Sequence, residues 1–410
     1  MKYTLGLLVT ICAFQLRSQD LLQFSLQTDQ VNCPIQVPLE NLNYNTDQQG
    51  LALFEEVKGQ MVSIPCQLEK GHGAKLWFIL PDRGEAGKKR SFVIRNSEAL
   101  SDAPQIVLQR DHEDLDFTFN DKPILSYRFA TTQVPDGVDP LFQRSGYIHP
   151  VTSPAGEVLT RIQPPDHYHH YGIWGPWTKT HRGEREIDFW NLLKGHGTVK
   201  FAGFLSQVNG AVYTGFKALQ QHMDFGGNGP DEIAINEILD VRAWNVGDKY
   251  WLIDYTINLN SPLEDGILFD AYRYGGGVGF RATEKWHKDN CTILTSEGKD
   301  RKDADGSNAR WCRVEGESAV DEGRSGILFM SHPSNRMHPE PMRVWPLDGN
   351  GGRGDMFFEF CPIRHESWTI EPGRDYVLKY RLLAFDGEVS AEESETHWQA
   401  FQNPPVIEIE

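Results

Sequence analysis

The 410-residue sequence predicts a mainly β protein, a large antiparallel two-sheet β-sandwich preceded by a small β-sandwich domain. Three observations carry that prediction. Apolar and polar residues alternate with period 2 in segment after segment, as in Trp251, Ile253, Tyr255 and Ile257 against Asp254, Thr256 and Asn258. Almost no window has helical periodicity. The 38 glycines and 23 prolines supply the turns that many short strands need.

Taken in order, Met1–Lys2 and the apolar run YTLGLLVTICAFQL read as a secretory leader over residues 1–18, with cleavage near Ser18–Gln19. The run is too short to span a bilayer. Cys12 follows Ile11 rather than a small residue, so no membrane anchor is expected, and the mature chain is expected in the periplasm. Residues 19–104 form the small domain, with LALFEE, MVSIPC, AKLWFIL and SFVIR as strands. Residues 105–410 form the large one. LDFTFND and ILSYRFA make a hairpin through Asn120–Asp121, and strand-like runs recur from REIDFWNL to DYVLKYRLLAF. The acidic EVSAEESE near the end reads as a solvated loop.

Lys+Arg 40 against Asp+Glu 57 gives a net charge of -17, a field that repels nucleic acid and anionic membranes. An arginine-lined pocket still admits an anionic substrate. Export permits disulfides. Cys33 with Cys66 and Cys291 with Cys312 are the expected local pairs, and Cys361, in the apolar run FFEFCP, is expected as a buried free thiol. Oligomeric state is left open.

The chemistry concentrates in Gln163–Trp177, QPPDHYHHYGIWGPW, where three prolines forbid a regular element and three histidines gather. On an extended segment His167 and His169 face one cavity and His170 points elsewhere. Two imidazoles on one side, with Asp166 as a third group, suit either a divalent metal or a general base and its neighbour. No cofactor is otherwise indicated. A second group is SHPSNRMHPEPMRVW, with His332, Asn335, Arg336, His338 and Arg343; His365 follows it. A third is AYRYGGGVGFR, where three glycines permit close backbone approach and Tyr272, Arg273, Tyr274 and Arg281 supply donors. Trp174, Trp177, Trp190 and Trp345 suit the apolar faces of sugar rings. The absence of GxSxG, HExxH and Walker-type loops argues against a serine hydrolase, a zincin or an NTPase.

GYIHPVTSPAGEVLTRIQPPDHYHHYGIW, DFW, YRYGGGVGFRATEKW, ARW, ILFMSHPSNR and LKYRLLAFDG, spanning roughly Ile106 to Gly387, resemble the exported bacterial family known as PmoA-like. PPDHYHH and SHPSNR are the most specific pieces, and Tyr168 stands where many relatives have proline. The resemblance implies an oligosaccharide dehydratase like that of marine Bacteroidetes, which removes water from the non-reducing-end uronic acid of ulvan fragments to leave a 4,5-unsaturated sugar. Within that chemistry His167 or His169 is the expected base, with His170 beside them, and Tyr272 or His332 the acid. Arg161, Arg273 and Arg336 are expected to hold the carboxylate or a sulfate, with Trp174 and His338 also lining the substrate site. The alternatives are a glycoside hydrolase or polysaccharide lyase, using carboxylates among Asp166, Glu184, Glu186 and Asp188, or a non-catalytic oligosaccharide-binding protein. The three loop groups are expected to meet in one cleft.

Overall fold

The computed structural model of the protein describes residues 20–40, 50–71, 73–83, 87–97, 105–320 and 323–410; the expected leader lies outside them. The named strands pair antiparallel throughout. Two large sheets form the main sandwich. One has eight strands, ordered Gly197–Val208, Tyr213–Asp224, Glu232–Trp244, Tyr250–Asn260, Tyr376–Asp386, Arg324–Ser331, Trp311–Glu317 and Cys291–Thr295. The other has nine, ordered Asn308–Ala309, Glu340–Val344, Phe357–Phe360, Val278–Arg281, Ile173–Trp174, Tyr147–Val151, Lys122–Arg128, Asp114–Phe119 and Ile106–Arg110. Asn120 and Asp121, both at positive φ, close the hairpin between Asp114–Phe119 and Lys122–Arg128, as a two-residue turn between twisted strands requires.

Alternation places one face of each sheet against the other. Tyr255, Ile257 and Leu382 from the eight-stranded sheet meet Ile173, Phe280, Val344 and Phe358 from the nine-stranded one in a single apolar core. Their neighbours in the nine-stranded sheet therefore point away from that core. Tyr147, Trp174, Trp345 and Phe357 build a second, aromatic layer on this outer face with Tyr171 and Trp190. His170 packs into this layer.

The small unit has its own core, including Phe24, Leu53, Phe78 and Phe92, between a five-stranded and a three-stranded sheet. It docks on the outer face of the eight-stranded sheet. Gln67 Oε1 accepts from the amides of Val212 and Tyr213, both at 3.0 Å. Trp77 packs on Trp244 at 5.2 Å, and Arg242 clasps Glu69 through two hydrogen bonds. The chain's end returns to this unit, with Glu408–Ile409 pairing with the Asp20–Gln27 strand.

Two expectations are corrected. EVSAEESE is not a loop: Ala391–Gln402 is a helix, started by a capping box between Ser390 and Glu393. Neither expected disulfide forms, since Cys33, Cys291, Cys312 and Cys361 are buried free thiols. Cys312 stands opposite Thr295, four residues along the strand from Cys291, roughly 13 Å and beyond a disulfide's reach. The Lys75–Ile79 strand lies between Pro34–Pro38, which follows Cys33, and Cys66–Glu69. Among the described residues no helix is long and apolar enough to cross a membrane.

Candidate functional site

The Gln163–Trp177 segment leads into, and includes, the Ile173–Trp174 strand of the nine-stranded sheet. Its prolines do not extend it. The amide of His167 donates to Pro164 O at 2.8 Å, that of His170 to His167 O at 3.0 Å, and that of Gln163 to His170 O at 2.8 Å. These consecutive turns cancel the period-2 argument and bring all three imidazoles together. Ring centroids are 5.4 Å apart for His167 and His169, and 4.8 Å apart for each of these with His170.

The three rings have different surroundings. His170 is wholly buried against Trp174, Trp190, Trp345 and Phe357, and neither of its ring nitrogens has a partner. Burial drives its pKa far down, so it is a neutral packing ring rather than a group that meets substrate. This corrects its expected catalytic place. His169 is partly exposed, and burial followed by the charge of His167 lowers its pKa to about 4. His167 lies at the surface of the cluster, one-third exposed, with Nδ1 2.8 Å from Asp166 Oδ2.

Behind Asp166 stands Arg281, which sequence reasoning named as a donor but did not choose. Its Nη2 bridges Asp166 and Asp355, each at 2.7 Å, and its guanidinium lies 4.7 Å from the Trp345 ring centre. Burial alone would raise the Asp166 carboxyl, but the hydrogen bond from His167 and the charge of Arg281 hold it below the usual carboxylate range. Asp355 escaped notice because it sits in a glycine-rich turn, NGGRGD, without other chemical signal.

Tyr274 packs on the same aromatic layer. Its ring is 4.9 Å from Trp190, and its hydroxyl accepts from Arg343 Nη2 at 3.0 Å and Trp345 Nε1 at 3.2 Å. With both acceptor positions engaged, its own proton is free to be donated. Arg343 is held by Asp305 at 2.8 Å. The glycines beside Tyr274 have a packing reason: a Cβ on Gly276 would lie 1.8 Å from the Trp177 ring, and one on Gly277 2.4 Å from Phe360 O.

Of the other expected residues, Tyr272 and Arg273 pack on Tyr274, at 5.9 and 5.3 Å. Arg161 is paired with Glu284 at 3.4 Å. Trp174 is fully buried beneath His170, a floor rather than a sugar platform. The SHPSNR loop is not part of the cluster. His332 packs on Phe401 and His338 on Trp398, both from the terminal helix. Arg336 lies on Trp368 in a separate cleft of about 420 Å³. The loop is pinned through Asn335, which reaches the buried Glu340 at 2.9 Å, and its short spacing of polar residues serves that anchorage. Among the described residues no three His, Cys, Asp or Glu side chains converge to hold a metal. Of the expected hydrolase carboxylates, Asp166 lies in the cluster, whereas Asp188 caps the Trp190 and Asn191 amides and Glu186 pairs with Lys194.

Fold and cluster together define an antiparallel β-sandwich protein with a histidine–aromatic site on the outer face of one sheet. Residues 114–399 match the model of a family of unknown function (DUF6807), and the chain belongs to that family. No curated protein matches it. Its fold is similar to that of a protein in the glycosyl hydrolase family 38 from Enterococcus faecalis, at a TM-score of 0.51 and 9% identity, over 97% of this chain and 48% of that one. An alpha-mannosidase from Enterococcus faecalis is matched at a TM-score of 0.49 and 8% identity, over 95% and 46% of the two chains. A galactose mutarotase related enzyme from Lactobacillus acidophilus is matched at 0.30 and 7%, over 70% and 99%. The chain spans about half the length of the first two.

Proposed function

We propose that the protein is a carbohydrate-active enzyme that eliminates water from the non-reducing-end uronic acid of an anionic, ulvan-type oligosaccharide. The observation that carries this reading is the pairing of Asp166 with His167 and of Tyr274 with Arg343, with His167 and Tyr274 both in contact with Trp345. Asp166 takes Nδ1–H of His167, which leaves the Nε2 lone pair as a base for the proton on C5, alpha to the carboxylate. The electron pair released forms the C4–C5 double bond, and the C4 hydroxyl departs as water with the proton of Tyr274. The neighbouring arginines, Arg273 and Arg343, supply positive charge for the carboxylate as it gains enolate character. This assigns the acid to Tyr274 rather than Tyr272 or His332. The resemblance of PPDHYHH and its companion motifs to the dehydratase family supports the reaction class. A fold shared in part with a protein in the glycosyl hydrolase family 38 is compatible with a sugar substrate.

The test is incubation with uronic-acid-terminated oligosaccharides, following the near-ultraviolet absorbance of unsaturated uronates and product mass. Loss of one water without a shortened chain is expected. A flat absorbance, with or without added divalent metal, defeats the reading, and chain scission turns it into a polysaccharide lyase.

A further inference from the structure

We propose that Glu359 is a positioning residue for Tyr274, acting through the amide of Gly275. The proposal rests on the reading of Tyr274 as the proton donor. Glu359 lies on the outer face of the nine-stranded sheet, fully buried, and directly opposite Arg343 in the strand register. Buried opposite charges so placed would ordinarily pair. Here they do not. Arg343 turns to Asp305 and to the Tyr274 hydroxyl, and its Nε is without a partner. Glu359 instead takes the Gly275 amide on Oε1 at 2.7 Å, while its Oε2 is also without a partner.

A carboxylate in that position would draw Arg343 from Tyr274, whereas a neutral carboxyl leaves it in place. Burial pushes the Glu359 pKa well above the carboxylate range, against the Gly275 hydrogen bond, the Cys361 thiol and the charges of Arg343 and Arg364. The amide it holds is next in the chain to Tyr274, so this side chain fixes the backbone that carries the phenol and, while neutral, leaves Arg343 to it. Tyr272 N to Ile363 O, Gly276 N to Pro176 O and Arg364 Nη1 to Arg273 O hold the remainder of the loop.

Glu359→Gln keeps the acceptor and the neutrality, while Glu359→Met keeps the bulk and loses the acceptor. Glu359→Gln is expected to stay within about threefold of the parent kcat, and Glu359→Met to lose about 100-fold in kcat with little change in KM, the scale of a misplaced catalytic group. Equal losses in both variants, or none in Glu359→Met, overturn the proposal. Two readouts do not need turnover. The Gly275 amide of the parent protein is expected to be protected from hydrogen exchange, and a crystal structure of Glu359→Met is expected to show Gly275 and the adjoining Tyr274 displaced from their parent positions. A parent protein without dehydratase activity defeats the proposed function; an unprotected Gly275 amide defeats this proposal whatever the activity.

Discussion

In the proposed reaction the two ring nitrogens of His167 have separate tasks, since Asp166 occupies Nδ1 and Nε2 is left for the substrate. His167→Ala is therefore expected to lower kcat by about 10²–10⁴-fold, the usual worth of a general base, while calorimetry finds oligosaccharide affinity within a few-fold of the parent. Equal loss of affinity would instead mark a binding protein. His169 sets a second expectation. Its folded pKa is about 4 against 6.5 for the free imidazole, so the unfolded chain takes its proton first. His149 and His332 behave alike, with burial the leading cause. Stability from these groups is full above pH 6.5 and is lost as pH falls towards 4. Melting temperature recorded across that window is expected to fall, less steeply in His169→Gln; parallel slopes would contradict it. At this scale the residue types were legible in the sequence, and the tautomer-setting partner was not. Asp166 adjoins His167, but Arg281 pairs with Asp166 across 115 residues and with Asp355 across 74, distances that no local pattern encodes.

Among the elements, the tyrosine–glycine loop is governed by space. Gly276 has φ +85° and no room for a Cβ against Trp177. Gly276→Ala is expected to destabilise by about 1 kcal/mol or more, measured by chemical denaturation, and to reduce turnover by shifting Tyr274. The SHPSNR loop depends on Glu340, whose carboxyl accepts from Asn335, Ser331 and Tyr380. Its Gln variant would turn an amide donor towards one of those donors and is expected to cost about 1–3 kcal/mol without removing activity, because the loop lies outside the proposed site. Burial raises the Glu340 carboxyl to about 7. Its contribution is therefore present below pH 4.5 and lost as pH rises through 7, the reverse of the histidines. Strands were legible because Trp251 to Ile257 alternates without interruption. The terminal helix was not, since it buries only Ser394 and Trp398 and has no apolar stripe; its readable sign was Ser390 followed by Glu393. The histidine loop was misjudged in shape because proline excludes helix without specifying extension.

On the scale of the whole molecule, the small unit is tied at two places, by Gln67, Trp77 and Glu69 on the large sheet and by the Glu408–Ile409 strand. Removing residues 407–410 is expected to lower the unfolding temperature of the small unit, followed by Trp77 fluorescence, and to leave oligosaccharide turnover unchanged. The antiparallel β architecture was legible from period and turns. The meeting of loops was not, because it depends on which strands are neighbours: the Val278–Arg281 strand lies beside Ile173–Trp174 and joins two of the three groups, while the third leaves from the eight-stranded sheet at Ser331.

The outer aromatic layer has one consequence for how this protein can fail. Val278 and Phe280 face the core while Arg281 faces Asp166, and Val344 faces the core while Arg343 faces Tyr274. Slipping either strand by a single residue would exchange an arginine for a greasy side chain on both faces at once. Mispaired chains would then be compact, inert and insoluble together, so catalytic competence would serve as an assay of correct strand pairing during refolding.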